Sequence, residues 1–286
     1  MQVNPKIDIV AVVVWYHPTE EQAQNILSYI HDVHRVIIVD NSLTDNLQLL
    51  SIVDSTSYTY IPLHRNMGVA TALNIGCLEA IKMNAQWILT MDQDSCWDKV
   101  QLCSYIDQVN SFPALSQVGV FSPQQNYNRY KKKLYEPYED KIAVMTSGSL
   151  ISVKGFQLVG GFREDFFIDE VDNEYCMHIH RLGMRVVMIN NALLSHQLGE
   201  LRVIKLFGVW KKEYIYHAPF RYYYMIRNIL VLKREYPEHH KFLKKRLKKL
   251  IKRVLIYNKW SKIETIQMCI KGWWDFQRHI MRAIPR

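Results

Sequence analysis

Apolar and polar positions alternate in blocks along the first hundred residues, and the blocks predict strands and helices in turn. Four apolar runs predict strands buried on both faces of a sheet: residues 7–15, 35–39, 58–63 and 87–91. Between them, apolar residues recur at intervals of three and four, which predicts helices over residues 20–33 and 69–83. This alternation predicts an open, doubly wound α/β sheet, in which ligands bind at the carboxyl ends of strands.

The pattern changes in the last third of the chain. Before that point, the sequence predicts strands at 118–122 and 185–189, and a strand at 143–153 that is broken at 146–149. It also predicts an exposed loop or hairpin at 126–140 and helices at 155–161 and 171–182. From residue 200 onward the strand alternation gives way to a helical, aromatic and basic sequence. We therefore predict an α/β domain over residues 1–199 and a helical region over residues 200–286.

These two regions carry opposite net charge. The chain has 286 residues, with 36 Lys+Arg against 27 Asp+Glu, for a net charge of +9. Residues 1–199 hold 14 basic and 21 acidic residues and sum to −7, whereas residues 200–286 hold 22 and 6 and sum to +16. A strongly basic region indicates a polyanionic partner, either nucleic acid or an anionic membrane surface.

The cysteine content and the apolar runs indicate in which compartment the protein is expected. The five scattered cysteines form no CxxC pair, so they indicate neither a zinc knuckle nor a disulfide framework, and a reducing cytoplasm fits them best. The first apolar run is only about seven residues long and follows no basic segment, so we interpret it as a strand rather than a signal peptide. No apolar stretch approaches the roughly 18 residues that span a bilayer.

Two carboxylates follow the fourth predicted strand. Asp92 and Asp94 are one residue apart on a segment that leaves the sheet, so both can reach one hard divalent cation. Mg²⁺ and Mn²⁺ take such oxygen ligands and would also hold phosphate oxygens. With this pair in place, His196 after the last predicted strand becomes a candidate third ligand. The alternative is a solvated turn with ordinary aspartates.

Two other segments hold residues suited to phosphate binding and proton transfer. Residues 65–76 place Gly68 at a helix start, where backbone N–H groups can approach a phosphate. Tight packing of the helix on the sheet would explain the glycines equally well. Residues 164–174 contain six acidic residues, and a general base must be a positioned carboxylate or imidazole. The alternative here is a helix N-terminus, where the helix dipole favours acidic residues.

Together and in this order, the motifs resemble the family-2 glycosyltransferases of the GT-A fold. The resemblance covers about residues 7–199 and implies a Rossmann-like, mostly parallel open sheet flanked by helices. It is strongest to the bacterial rhamnosyltransferases that build O-antigen and related cell-surface polysaccharides. The strings that carry it are VDNS, NMGVATALNIG, ILTMDQDS, TSGSLIS, GGFREDFFIDEVDNEYC and SHQLG.

The resemblance implies a role for each matched residue. Asp172 matches the general base, and its neighbours Asp169 and Glu174 would orient it or the acceptor. Ser147 and Gly148 fall where the acceptor and the donor sugar meet. The residues implied to bind the nucleotide are Asp40, Asn66, Gly68, Asn74 and Asp92. Those implied to hold Mg²⁺ or Mn²⁺ are Asp92, Asp94 and His196.

The reaction implied by the resemblance is sugar transfer from a nucleotide sugar, with inversion at the anomeric carbon. The expected donor is dTDP-rhamnose and the expected acceptor a lipid-linked saccharide. A UDP-linked galactose, glucose or galactofuranose remains an alternative donor, because the motifs do not specify the sugar. A lipid-linked acceptor implies a cytoplasmic enzyme bound peripherally to the inner face of the cell membrane. An inactive family member that serves as an assembly subunit is a further alternative, against which the intact carboxylates argue.

A basic amphipathic pattern occupies residues 240–256. One helical face carries Leu243, Leu247, Leu250, Ile251 and Val254, and lysines and arginines cover the rest. Such a helix is typical of a membrane interface. It could instead pack its apolar face on the protein, or belong to a nucleic-acid-binding protein, which would leave the catalytic motifs unexplained. Residues 222–228 resemble a YYxxRN string of the same enzyme branch, for which the sequence predicts only helix packing.

Overall fold

A computed structural model describes residues 8–126, 136–196, 201–206, 210–256 and 262–281 of the chain. The chain divides into two compact units. The first comprises Met1–Glu164 and Asp172–Gln197, and the second comprises Asp165–Val171 and Leu198–Arg286. The predicted boundary at residue 199 falls outside the described residues and stays a prediction.

A single nine-stranded sheet forms the centre of the first unit. Its strands are β1 (Ile9–Trp15), β2 (Arg35–Asp40), β3 (Tyr58–Pro62), β4 (Trp87–Asp92), β5 (Ser95–Trp97), β6 (Val118–Asn126), β7 (Tyr138–Asp140), β8 (Ser149–Ser152) and β9 (Arg185–His196). The strand order is β3-β2-β1-β4-β8-β6-β9-β5, with β7 paired to β9. The first four strands in this order are parallel, whereas β8 runs antiparallel to both of its neighbours.

Helices flank this sheet, which confirms the predicted α/β class. They are α1 (Glu20–Gln24), α2 (Val69–Lys82), α3 (Lys99–Asn110), α4 (Val153–Val159) and α5 (Val171–Arg181). Shorter 3-10 turns cover Asn25–Ser28, Leu47–Leu50, Leu115–Gln117 and Glu164–Phe166. The sheet is mixed beyond β4, so the expectation of a mostly parallel sheet holds for its first half.

Several predicted elements differ in length from those observed, among them the strand predicted at 118–122, which runs over Val118–Asn126. The helix predicted over 20–33 stops at Gln24, because the side chains of Asn25 and Ser28 bond to backbone groups and compete with the helix. The strand predicted over 143–153 forms only from Ser149. The last strand runs on to His196 because it pairs with β5, β6 and β7. Of the predicted loop at 126–140, residues 127–135 lie outside the described residues.

The core of the first unit explains why α2 is rich in small residues. Trp15, Tyr105 and Phe121 are fully buried in the main hydrophobic cluster. Gly76 of α2 faces β1 so closely that a Cβ atom there would lie 2.3 Å from Cγ1 of Val12. The packing explanation for this glycine is therefore correct.

The second unit begins with a hairpin and continues with helices. The hairpin pairs β10 (Leu201–Leu206) antiparallel to β11 (Trp210–Ile215). Helices α6 (Pro219–Glu235), α7 (His240–Ile256) and α8 (Lys262–Gln277) follow, with a 3-10 turn at Pro237–His239. The expectation of a helical region is correct from Pro219 onward and wrong for the hairpin. No helix among the described residues is long and apolar enough to cross a membrane.

Helix α7 packs its apolar face on its neighbours. Leu250 and Val254 of α7 are buried in one cluster with residues of α6, and Ile266 and Cys269 of α8 pack against the same cluster. The lysines of α7 are exposed: Lys241, Lys244, Lys245, Lys248, Lys249 and Lys252. The exposed surface of α7 therefore carries its lysines together with two apolar residues, Ile251 and Leu255, which are 45% and 58% exposed.

Candidate active site

The ends of three parallel strands form the floor of the candidate site. In the register of the sheet, Trp15 of β1 is opposite Asp40 of β2, and Val14 is opposite Asp92 of β4. Asp40 and Asp92 therefore end the two strands that flank β1, about 10 Å apart by two strand spacings. The predicted nucleotide residue and the predicted metal residue lie on the same edge of the sheet.

Gln93 orients the two aspartates on either side of it. Its Oε1 accepts a hydrogen bond from the backbone N–H of Tyr16 at 2.6 Å, and its Nε2 donates to Gln22 at 3.0 Å. Gln93 and Asp94 form the turn between β4 and β5, so these bonds fix the turn that carries the two aspartates. The sequence showed Gln93 only as the middle residue of the motif, and its partners come from distant segments.

Asp92, Asp94 and His196 form one cluster. One carboxylate oxygen of each aspartate and one ring nitrogen of His196 all lie within 4.8 Å of one another. The Nδ1 of His196 is 3.3 Å from Oδ1 of Asp94. Pairing of β5 with β9 places His196 opposite Ser95 and so brings a residue from far along the chain to this point. The cluster could hold a divalent metal ion.

The chemistry of the cluster fits such an ion. The Oδ1 atom of Asp94 is buried and accepts no well-aligned hydrogen bond from the residues that the structure describes, although the Nδ1 of His196 lies 3.3 Å away. Burial raises the pKa of Asp94, and the nearby His196 opposes this rise. A buried carboxylate oxygen without a well-aligned donor is unfavourable unless a cation compensates it. Two carboxylates and an imidazole suit Mn²⁺ or Mg²⁺.

Two buried serine hydroxyls link the end of β4 to His196. The hydroxyl of Ser147 donates to Ser95 Oγ at 2.7 Å and accepts from the backbone N–H of Asp92 at 3.3 Å. Ser95 Oγ in turn lies 2.6 Å from Nδ1 of His196. Both serines are completely buried. The contacts of Ser147 thus orient the cluster of Asp92, Asp94 and His196, while its predicted place at the meeting point of the sugars stays a prediction. Sequence analysis did not single out Ser95, because nothing local marks it.

Gly148 occupies a position that only glycine tolerates. Its φ is +77°, and its N–H donates to the carbonyl of Thr90 at 2.7 Å. A Cβ atom there would lie 2.7 Å from Leu194 Cδ2 and 2.9 Å from Pro123 Cγ. The turn before β8 therefore packs closely between β4, β6 and β9.

Substitution of Gly148 by alanine should destabilise the protein by about 3 kcal/mol, because left-handed strain adds to overpacking. Gly160 is the matched control, since its φ is +84° but no described atom lies within 4 Å of its added Cβ. Gly160→Ala should cost only about 1 kcal/mol. Urea denaturation of the two variants measures the difference, and equal losses would contradict the packing argument.

Asp40 is held rigidly at the end of β2. Its carboxylate accepts hydrogen bonds from the Tyr60 hydroxyl at 2.6 Å, the Asn46 amide at 2.8 Å and the Ser42 backbone N–H at 3.0 Å. The side chain is 1% exposed. An ionised carboxylate offers about four acceptor positions, and the residues that the structure describes fill three of them. Asn46 and Tyr60 were missed by sequence analysis, because only the fold brings them to Asp40.

The predicted phosphate segment divides into two parts. Asn66 Oδ1 accepts from Asn41 at 3.0 Å and from the N–H of Gly68 at 3.0 Å, which joins the end of β2 to the start of α2. Asn74, in contrast, contacts a distant turn of the chain. Its amide bonds to both backbone groups of Phe162, at 2.7 Å and 2.8 Å, and so holds a turn in place. A nucleotide-binding role for Asn74 stays a prediction, and its contacts indicate a structural role.

The acidic segment also separates into distinct environments. Asp172 lies in the first turn of α5, accepts from the N–H of Asn173 at 2.8 Å and lines the same small cavity as Thr146 and Ser149. Glu174 is buried, at 5% exposure. Asp169 belongs to the second unit and forms a bidentate ion pair with Arg221 at 2.6 Å and 3.0 Å. Asp172 is therefore the carboxylate of this segment that borders the turn containing Ser147 and Gly148.

Comparison with known proteins gives matches at the levels of sequence and fold. The family described as "Glycosyl transferase family 2" matches residues 20–167. The dTDP-rhamnosyl transferase RfbF of Shigella flexneri is 27% identical over 244 residues, which is 80% of this chain and 80% of that protein.

Solved structures share the fold at low identity. GalNAc-T7, crystallised with UDP, GalNAc and Mn²⁺, aligns with a TM-score of 0.61 and 12% identity over 96% of this chain. The alignment spans 57% of the GalNAc-T7 chain. S. aureus TarS 1-349 in complex with UDP-GlcNAc aligns with a TM-score of 0.59 and 15% identity, covering 96% of this chain and 82% of TarS 1-349.

Proposed function

Because this chain belongs to glycosyl transferase family 2 and is a sugar-transferring enzyme, we propose that it moves L-rhamnose from dTDP-rhamnose to a lipid-linked saccharide. The observation that carries the proposal is the cluster of Asp92, Asp94 and His196 at the strand edge that also holds Asp40. Similarity to a dTDP-rhamnosyl transferase over 80% of both chains supports the choice of donor. The product would enter a bacterial cell-surface polysaccharide of the O-antigen type.

The nucleotide would lie across the end of β1. Asp40 would accept the N3–H of the thymine base, because an ionised carboxylate can only accept hydrogen bonds and the N3–H is a donor. The described residues fill three of its about four acceptor positions. The pyrophosphate would then lie towards Asp92, close to the start of α2 at Gly68. Crystal structures of relatives with UDP, or with UDP and Mn²⁺, are consistent with a nucleotide and a divalent ion in this fold.

The reaction requires a group that accepts the proton of the acceptor hydroxyl. It also requires that this hydroxyl attack the anomeric carbon from the side opposite the diphosphate. Asp172 would remove the proton of the acceptor hydroxyl while that oxygen bonds to the anomeric carbon. The bond from the anomeric carbon to the diphosphate oxygen breaks in the same step, and the configuration inverts. A divalent cation bound by Asp92, Asp94 and His196 would supply charge stabilisation for the departing diphosphate. Ser95 and Ser147 would hold the imidazole and the strand end in place.

A donor screen tests this function against its nearest alternative. The protein is incubated with Mn²⁺ or Mg²⁺ and a panel of nucleotide sugars, and release of nucleotide diphosphate is measured. We expect a metal-dependent signal with dTDP-rhamnose. A response only to UDP-galactose, UDP-glucose or UDP-galactofuranose would support the alternative donor. A response to none of the sugars would contradict the proposal.

We also propose that the second unit binds an anionic membrane on the cytoplasmic side, where a lipid-linked acceptor would lie. The lysines of α7 are exposed, and so are its apolar residues Ile251 and Leu255, whereas Leu250 and Val254 are buried against α6. Large apolar side chains are exposed on α8: Ile263, Ile270, Trp273 and Trp274. Exposed basic residues and tryptophans are the combination that favours a membrane interface.

Neutralising three lysines of α7, Lys244, Lys245 and Lys248, to glutamine should weaken binding to phosphatidylglycerol vesicles about 100-fold. Each basic residue near anionic lipid contributes about 1 kcal/mol, and a tenfold change corresponds to about 1.4 kcal/mol. Vesicle co-sedimentation at low salt measures the loss.

The control variant changes the same number of charges on the first unit, at Lys82, Lys99 and Lys154. It should bind vesicles as the unmodified protein does. Equal losses in both variants would mean that net charge alone acts. Tight, salt-sensitive binding to duplex DNA without vesicle binding would favour the nucleic-acid alternative for this surface.

A further inference from the structure

An unusual backbone segment precedes the helix that carries Asp172. Phe167, Asp169 and Glu170 have φ values of 63°, 63° and 64°, in the left-handed region that residues with a Cβ rarely adopt. No glycine relieves this strain within residues 165–171. Such a conformation persists only when surrounding contacts hold it.

Asn228 of α6 provides one set of contacts. Its side chain is completely buried, and its Nδ2 lies within hydrogen-bond distance of three carbonyl oxygens of the segment. The distances are 3.1 Å to Phe166, 3.1 Å to Ile168 and 2.8 Å to Asp169. A side-chain amide has two N–H donors, so three carbonyls converge on all the donors that this residue possesses.

Arg227 provides the second set and orients the first. It is completely buried, and its Nη2 donates to the carbonyl of Asp165 at 2.6 Å. Its Nε donates to Oδ1 of Asn228 at 3.0 Å, which requires the Nδ2 group to face the carbonyls. The guanidinium also lies 5.2 Å and 5.1 Å from the ring centres of Tyr223 and Tyr224.

Ion pairs hold the two acidic side chains of the segment. Arg221 of α6 binds Asp169 through two hydrogen bonds, and Arg246 of α7 binds Glu170 in the same way, at 2.6 Å for the shortest contact. The Glu170 side chain is 4% exposed. Backbone and side chains of residues 165–170 are thus both fixed by helices of the second unit.

We propose that Arg227 and Asn228 are positioning residues for the transfer reaction. They hold the left-handed turns that end where α5 begins, and so set the direction in which the Asp172 side chain leaves the first turn of that helix. This inference rests on the proposed role of Asp172 as the base. It assigns a function to the RN pair of the YYxxRN string, for which the sequence predicted only packing.

Asn228→Asp tests the proposal, because it keeps the shape of the side chain and removes the two donors. We expect kcat to fall about 100-fold, since a small displacement of a catalytic group has effects of that size. Binding of the donor nucleotide, which lies in the first unit, should stay within about twofold. Asn190→Asp is the matched control. Asn190 is also buried and also donates to a carbonyl, that of Glu136, but belongs to β9. It should keep kcat within about threefold.

A double variant separates positioning from general damage. If Asn228 acts through Asp172, then Asn228→Asp added to Asp172→Asn should lower kcat no further than Asp172→Asn alone. A full additional loss in the double variant would overturn the proposal, as would a wild-type kcat for Asn228→Asp.

Two further measurements keep the test decisive. Should Asn228→Asp fail to fold, Arg227→Lys keeps the buried charge and should show the same loss of kcat with unchanged nucleotide binding, together with faster hydrogen exchange at residues 167–171. Unchanged kcat and exchange would overturn the proposal. A near-wild-type Asp172→Asn would instead overturn the proposed base, whereas a collapsed Asp172→Asn beside a fully active Asn228→Asp would overturn the positioning role alone.

Discussion

Replacing Asp172 with asparagine should lower kcat about 1,000-fold, because a positioned general base contributes between about 10² and 10⁴ to a rate. The change should leave the fold intact. The Oδ1 atom of asparagine can still accept the N–H of Asn173, as the carboxylate does at 2.8 Å. Donor binding should stay within about twofold, since Asp172 borders the turn before β8 rather than the strand edge of Asp40 and Asp92. Steady-state kinetics and nucleotide titration provide both values.

Asp107→Asn serves as the control for this variant. Asp107 is an exposed residue of α3, and the same loss of one charge there should leave kcat unchanged. A parallel fall in both variants would point to a general effect of charge. Turnover near the wild-type level in Asp172→Asn would show that another group accepts the proton.

Replacing Asp94 with asparagine should lower the metal-dependent activity about 1,000-fold and weaken Mn²⁺ binding by a comparable factor. The substitution removes one of two carboxylates from a cluster that has His196 as its third member. Its effect on the metal-free protein should have the opposite sign. Since burial disfavours the charged form of Asp94, a neutral amide should leave the unfolding temperature in EDTA unchanged or slightly higher.

Thermal unfolding with and without Mn²⁺ checks both parts. The unmodified protein should gain stability with Mn²⁺, about 2.7 kcal/mol at a metal concentration 100 times the Kd, and Asp94→Asn should gain almost none. Asp98→Asn is the control, because Asp98 caps α3 through the Gln101 N–H and asparagine caps a helix equally well. Equal stabilisation of Asp94→Asn and the unmodified protein by Mn²⁺ would contradict the metal site.

Local sequence pattern was sufficient for the first half of the sheet. The strands at Ile9–Trp15, Arg35–Asp40 and Trp87–Asp92 are continuous apolar runs, because both of their faces are buried. The aspartates that end two of them were visible for the same reason, as the first charges after each run. Short-range patterns of this kind depend only on the residues inside one element.

The hydrophobic pattern did not predict element boundaries that depend on side-chain hydrogen bonds or on pairing with distant strands. The helix after β1 stops early because Asn25 donates to the backbone of Gln93, a contact over 68 positions. The hairpin at Leu201–Ile215 was not predicted from a sequence rich in basic residues. The sequence predicted an apolar stripe on α7, but only the packing of α6 and α8 shows that Leu250 and Val254 are buried while Ile251 is exposed.

The candidate site divides in the same way. Asp92, Asp94 and His196 could be proposed from the residues themselves, and Asp40 entered as a nucleotide-binding residue through the family resemblance. The hydrogen-bond partners that hold the site came only from the structure: Gln93, Ser95, Tyr60 and Asn46. Strand register or a turn brings each of them into place. Asn74 matched a motif, yet its amide holds the turn at Phe162.

By itself, the sequence determined the α/β class, the enzyme family, the positions of the candidate carboxylates and the charge contrast between the two regions. Tertiary structure alone decided how those groups are held: His196 beside Asp94, Ser147 behind Asp92, and residues 165–170 under Arg227 and Asn228. The physical reason is the range of the forces involved. Burial of an apolar run leaves a periodic trace in the chain, whereas a hydrogen bond between distant residues leaves none.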